Sequence, residues 1–158
     1  MIKMVEQYVS RSENRTPVCE KFRDMLKNTR SMKGVFDIAL RTEGIEFICE
    51  SVKEGWSPTK QEIWDNFKPY LNGKYVHEGK YSSVMYCGFK GKVFCDKTVM
   101  CLLWCDAEIV VPKNRLCMIY VAGEGSKVKV TGEGRALVYC YEGAAVWNMT
   151  EGGKTLFK

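Results

Sequence analysis

EGSKVKVTG (124–132), EGRALVYCY (133–141), EGAAVWNMT (142–150) and EGGKTLFK (151–158) succeed one another without a gap, and each opens with Glu-Gly. Four residues beyond each Glu stand Val128, Leu137, Val146 and Thr155; six beyond stand Val130, Tyr139, Asn148 and Phe157. One strand face is therefore mainly apolar. Two folds produce such a period: an antiparallel hairpin meander or a parallel solenoid with recurring corners. Two-residue hairpin loops of type I′ or II′ would drive the Glu to positive φ, which a residue with a Cβ resists. A type II corner asks for positive φ only at its third residue, where Gly stands, and accepts Glu just before it. The expected fold is thus α+β, a helical N-terminal region followed by a short β-solenoid, with an antiparallel meander or sandwich as the alternative.

If two lines make one coil, Glu124 lies over Glu142 and Glu133 over Glu151, about 4.8 Å apart per layer. Arg135 and Lys154 stand near enough in sequence to relieve that column of like charge. Calcium-binding β-rolls share the nine-residue period, but their Gly-Gly-x-Gly-x-Asp pattern is missing here, so no metal or other cofactor is expected.

Upstream of the repeat the texture is that of strands at Tyr75–Cys87, Lys92–Phe94, Thr98–Trp104, Glu108–Val111 and Cys117–Val121, rich in β-branched and aromatic residues and separated by turn residues. Before Asn72-Gly73 it is helical. Thr16-Pro17 reads as a capped helix start, followed by the stripe Val18, Phe22, Met25 and Leu26. Ser31 opens a longer helix in which Val35, Ile38, Thr42, Ile45, Cys49 and Val52 recur at spacings of three and four until Gly55. Gly44 weakens it by about 1 kcal/mol relative to alanine on propensity alone. Ser57-Pro58 starts a third helix, with Ile63, Trp64 and Phe67 inward, that ends before Pro69. The expected organisation is a flexible stretch at 1–15, a helical domain at 16–74 and a β-repeat domain at 75–158.

The 158 residues suffice for a real core, and the 46% hydrophobic content contains no apolar run near the roughly 20 residues of a membrane-spanning helix. The first residues lack the apolar stretch of a secretory signal. Eight cysteines are then expected as reduced, mostly buried thiols rather than a disulfide framework. The net charge of +5 alternates too mildly along the chain to suggest a nucleic-acid tail.

The helical half ending in SPTKQEIWDNF (57–67), followed by Gly-punctuated β repeats, resembles a group of uncharacterised proteins encoded by phages and prophages of anaerobic gut bacteria. The resemblance covers roughly residues 17–158 and implies a mobile-element origin and a bacterial cytosol. It carries no activity. In that group the repeats more often run in eights with Gly-Asn corners.

Chemistry is sparse. Cys87, Cys95, Cys101 and Cys105 lack the short knuckle of structural zinc. His77, the lone histidine, stands where helices give way to strands and is expected to be a hinge residue with its ring hydrogen-bonded; an enzyme would need it paired with a cysteine. Gly88–Lys92 reads as a turn, not a phosphate loop. Lys129, Arg135, Tyr139, Tyr141 and Trp147 form an aromatic and basic set on the last lines. Tyr139 and Tyr141 share one face, and Trp147 joins Ala145 and Met149 on the opposite one. With apolar groups on both faces, something must cover the second: the chain's own helices, a second copy or a ligand. The expectation is a non-enzymatic, homo-oligomeric binding or scaffold module. The alternatives are a counter-defence protein that sequesters a small anionic nucleotide-like signal through that set, and an enzyme using His77 and a cysteine.

Overall fold

A computed structural model of the chain describes residues 3–13, 15 and 20–158. Five helices precede ten strands: α1 (Lys3–Ser12), α2 (Glu20–Lys27), α3 (Met32–Ala39), α4 (Thr42–Glu54), α5 (Lys60–Phe67), β1 (His77–Glu78), β2 (Ser82–Cys87), β3 (Lys90–Phe94), β4 (Val99–Leu103), β5 (Asp106–Val110), β6 (Leu116–Ala122), β7 (Lys127–Thr131), β8 (Arg135–Cys140), β9 (Ala145–Asn148) and β10 (Lys154–Phe157). The strands alternate between two sheets, ordered β1-β2-β4-β6-β8-β10 and β3-β5-β7-β9. All neighbours pair in parallel except β1 with β2. The fold is a two-sheet parallel solenoid of about four turns, and the antiparallel meander is excluded.

The corner argument holds at three of the four lines. Gly125, Gly143 and Gly152 take φ of 79°, 94° and 68°, while no Glu has positive φ. The corner at Gly134 differs. There Gly132 supplies the positive φ of 105°, and Gly134 lies against Pro112, whose carbonyl oxygen would stand 2.2 Å from an added Cβ. Val128 aligns with Val146, one full coil of two lines away, and the backbone N–H of Gly125 donates to the Gly143 carbonyl at 3.0 Å. Coils begun earlier have other lengths: Ser83 aligns with Val99 and Leu116 with Arg135. The nine-residue period therefore describes only the end of a longer solenoid.

Between the sheets lie Met100, Leu102, Ile109, Ile119, Val121, Val128, Val130 and Val138, each with at most 1% exposure. The parity changes from line to line. Val128 and Val130 point inward in β7, but in β8 Ala136 and Val138 do so, and Leu137 and Tyr139 face outward. Tyr139 and Tyr141 do share a face, yet it is the outer one, toward the helices rather than into the coil. In β8 the interior takes Ala136 and Val138 and leaves Tyr139 outside.

A second core joins the helices to the outer face of the six-stranded sheet, where Met85, Leu103, Tyr120, Ala122 and Tyr141 meet Phe36, Ile45, Ile48 and Leu71. The chain's own helices cover this sheet, the tyrosine side, whereas the Trp147 and Met149 side, for which a cover was expected, belongs to the four-stranded sheet and is exposed. Trp64 Nε1 donates to the Cys87 carbonyl at 3.0 Å and Ser83 Oγ to that of Leu40 at 2.7 Å, so polar groups also tie the layers.

The helical half departs from expectation in detail. Residues expected to be a flexible start form α1, which buries Met4, Val5, Tyr8 and Val9. Thr16-Pro17 and Val18 lie outside the described residues; α2 begins at Glu20 and buries Phe22 and Leu26. The single long helix from Ser31 is two. Ser31 does cap α3, its side chain accepting from the Gly34 N–H at 3.0 Å, but the chain breaks at Leu40 and Arg41 before α4 ends at left-handed Gly55. The third helix is capped by Thr59, not Ser57. Its hydroxyl accepts from Glu62 N–H at 3.1 Å while the Glu62 carboxylate accepts from Thr59 N–H at 2.7 Å, a reciprocal box that satisfies two free donors.

The cysteines also need correction. Cys95 and Cys117, brought together inside the coil, form a disulfide. Cys49, Cys87, Cys101, Cys105 and Cys140 are free and buried, as the sequence suggested. No helix of the described residues is long and apolar enough to cross a membrane.

Candidate functional site

Between the helices and the last strands of the six-stranded sheet opens a cleft of about 470 Å³. Helix α4 makes one wall. Glu43, Glu46 and Glu50 recur at helical spacing along it, so they share a face with Phe47. Phe22 and Trp56 continue the apolar lining, and Tyr139 and Tyr141 close it from the sheet side. The wall is built by core packing: Phe47 lies 4.6 Å from Phe22 and 5.3 Å from Trp56, centroid to centroid. Tyr139 stacks on Tyr120 at 4.5 Å because parallel, in-register strands put identical positions directly above one another. Basic groups line it too, Lys21 of α2, Arg41 at the start of α4 and Lys158 beyond β10, whose ammonium sits 5.6 Å over the Tyr139 ring.

Burial pushes the Tyr141 phenol well above its ordinary pKa, and Glu46 and Glu50 add to the shift; Tyr120 is raised by burial and by Glu46. Both stay neutral in any physiological range. Among the described residues, Glu43 and Glu46 have no ion-pair partner within 4.0 Å, whereas Glu50 is paired with Lys53 at 3.3 Å.

The five residues singled out from the sequence fall in three places. Tyr139 and Tyr141 are in the cleft. Lys129 and Trp147 are aligned neighbours on the outer face of the four-stranded sheet, where Trp147 is 54% exposed and Met149 64%. Arg135 is at a corner depression with Arg115, Glu133 and Glu151. It forms no ion pair with either glutamate, so the expected relief of the Glu column is long-range only. The set therefore does not converge on one ligand. Sequence reading did not single out Glu43, Glu46 and Glu50; the packing of α4 on β6 places this row along the rim of the cleft that Tyr139 and Tyr141 also line.

His77 makes the expected hydrogen bond, with an acid from the helical half. Its Nδ1 is 3.0 Å from Asp37 Oδ1, which also accepts from the Tyr75 hydroxyl, while Lys33 Nζ donates to Oδ2 at 2.9 Å. Desolvation works to raise the Asp37 pKa, but the hydrogen bonds from Tyr75, Lys33 and His77 outweigh it and hold the carboxyl at about 2. A folded-state pKa below the unfolded value stabilises the protein above the unfolded pKa, and that gain is lost as pH falls through the folded one. Stability should therefore decline between about pH 4 and pH 2 by on the order of 1–2 kcal/mol from this group. Asp37→Asn should flatten that part of a urea-denaturation series across pH; an unchanged slope would remove Asp37 from the account.

Cys87 at the helix–sheet junction and Cys105 between the sheets are protonated at neutral pH, burial pushing both up to about 12. Cys49 and Cys101 face each other across α4 and β4 at 3.9 Å, both fully buried. Among the described residues no group of three or more His, Cys, Asp or Glu side chains could hold a metal ion. No protein family, curated protein or solved structure matches this chain.

Proposed function

We propose that the chain is a binding or scaffold module, not an enzyme, that works as a homo-oligomer joined through the open end of its solenoid. The observation that carries this reading is the unpaired outer edge of the last coil. β9 and β10 are the final strands of their sheets. Ala145 N–H donates to the Ser126 carbonyl and Met149 N–H to that of Val130, so odd-numbered residues of β9 face the solenoid and Val146 and Asn148 turn their backbone groups outward. Lys158 likewise bonds inward, through Cys140 and Glu142, which leaves Thr155 and Phe157 outward on β10. These groups sit beside Phe157 at 78% exposure and Leu156 at 43%. An edge that joins free backbone donors and acceptors to apolar side chains favours strand pairing. A second copy offers the same four-residue strand in the same chemistry, which an isologous contact requires. A mobile-element role in a bacterial cytosol is what the resemblance of SPTKQEIWDNF and the Gly-punctuated repeats to phage and prophage proteins would imply.

Light scattering at micromolar concentration tests the reading. The unaltered chain should have a multiple of its 18.1 kDa mass. Thr155→Pro removes an outward N–H without touching the inward ladder, so it should weaken association at least about tenfold and leave the circular dichroism unchanged. A sharp monomer for the unaltered chain would defeat the proposal.

A further inference from the structure

We propose that the outer face of the four-stranded sheet binds a second copy of this chain, about a two-fold axis that runs parallel to the strands between β5 and β7. The contact lies across the solenoid rather than along it and uses none of the backbone groups of the coil end. Parallel in-register pairing puts Lys92, Glu108, Lys129 and Trp147 at one level across the sheet, and Lys90, Asp106, Lys127 and Ala145 at another. Alternation along the strands turns these residues outward, because their neighbours Ala107, Ile109, Val128 and Val130 fill the coil. Phe94, Val110 and Thr131 make a third outward level, which Met149 joins through its N–H bond to the Val130 carbonyl. From β3 to β9 the columns at the first two levels thus read basic, acidic, basic and uncharged. Phe94 at one rim is 66% exposed, comparable with Trp147 and Met149 at the other, and large apolar groups left in water on one face mark a contact surface.

That order is self-complementary. Rotation about the stated axis leaves height along the strands unchanged, so every residue meets a partner of its own level, and it exchanges β5 with β7 and β3 with β9. Asp106 then faces the partner's Lys127, and Glu108 the partner's Lys129. Lys92 comes over the indole of the partner's Trp147, and Phe94 meets the partner's Met149. Opposite charges, a cation on an aromatic ring and a thioether against a ring are all attractive, and each contact occurs twice, as an isologous interface requires. Other placements fail on charge. An axis perpendicular to the strands lays every column on itself, and a parallel axis centred on β5 stacks acid on acid and lysine on lysine. The charged groups are available, since among the described residues Asp106, Lys127 and Lys129 have no ion-pair partner within 4.0 Å, and of this face only Lys92 and Glu108 are joined, at 3.9 Å. Four strands by five residues measure roughly 19 Å by 17 Å. The pair therefore buries less than the about 1,200 Å² of a standard interface and associates in the micromolar range.

Sedimentation velocity from micromolar to millimolar concentration tests the contact on the unaltered chain and on Thr155→Pro, which disables the coil end alone. Thr155→Pro should still dimerise. In that chain Lys127→Asp should weaken association at least about tenfold, since two attractive pairs per dimer become repulsive. Adding Asp106→Lys should bring it back to within about threefold. Both positions are exposed and lie side by side on neighbouring strands, so folding withstands the exchange and the double variant keeps their attraction within one chain. Rescue by a swap within a single chain is the signature of a symmetric contact that joins position 106 to position 127. In the unaltered chain the same substitutions should abolish and then restore association beyond the coil-end pair, a readout that does not depend on the proline. A Thr155→Pro chain that is folded and monomeric at every concentration would overturn this contact and leave the coil-end reading standing. So would Lys127→Asp without effect, or a double variant no better than the single. Association untouched by Thr155→Pro but lost in Lys127→Asp would support this contact and defeat the coil end instead.

Discussion

Phe36→Ala should lower the stability of the protein by about 3–5 kcal/mol, the range for truncating a fully buried phenylalanine. Its side chain is 1% exposed and meets Phe67 at 5.4 Å, Tyr70 at 5.5 Å and Tyr75 at 6.1 Å, centroid to centroid. These rings come from α3, from α5 and from the segment leading into β1. The cavity therefore opens where the helical layer is attached to the solenoid, and surrounding backbone from three directions limits its collapse. For a domain stabilised by about 5–15 kcal/mol in total the loss is a large share. Equilibrium unfolding in guanidinium chloride measures it, and a cost under about 1 kcal/mol would show that the aromatic cluster adds little to the attachment.

Gly44→Ala carries the second large effect, and its sign is opposite to helix propensity. Propensity favours the alanine by about 1 kcal/mol. In the folded chain a Cβ at this position would stand 2.2 Å from the Ile38 carbonyl oxygen and 2.8 Å from that of Ala39. Both are backbone atoms at the end of α3, so neither can swing away, and the first turn of α4 would have to lift. The expected net destabilisation is about 3 kcal/mol, the upper part of the range for overpacking. A thermal or denaturant midpoint that rises in Gly44→Ala would mean that α3 and α4 do not meet as described.

These two positions show what the sequence could and could not disclose. The parallel solenoid was legible because glycine recurs at one place in each line and glutamate does not tolerate the backbone of a hairpin tip. The side of each strand that turns inward was not, because a corner of slightly altered length changes parity: Val128 points in, Leu137 does not. The three-and-four spacing from Val35 to Val52 continues across the break at Arg41, since two helices packed on one surface keep the same apolar rhythm. Periodicity alone could not see that Gly44 marks a contact between helices. The Thr59–Glu62 box was readable, but Ser57-Pro58 offered the same chemistry two residues early. As for the cleft, tyrosines at 139 and 141 were visible as a pair; their acidic neighbours are about ninety positions upstream and meet them only through tertiary packing.

The two ends of the solenoid are unlike. At its start the six-stranded sheet is closed by the short antiparallel β1, and the first strand of the other sheet, β3, presents Lys90, Gly91 and Lys92. Charge and a missing side chain are poor invitations to another strand. If the coil end pairs with a second copy as proposed, a particle with that single adhesive terminus has nowhere to add a third member end to end once it is occupied. Tail-to-tail union of two chains would thus be self-limiting, and stacked parallel strands, which elsewhere run on into fibres, would here stop at a closed pair.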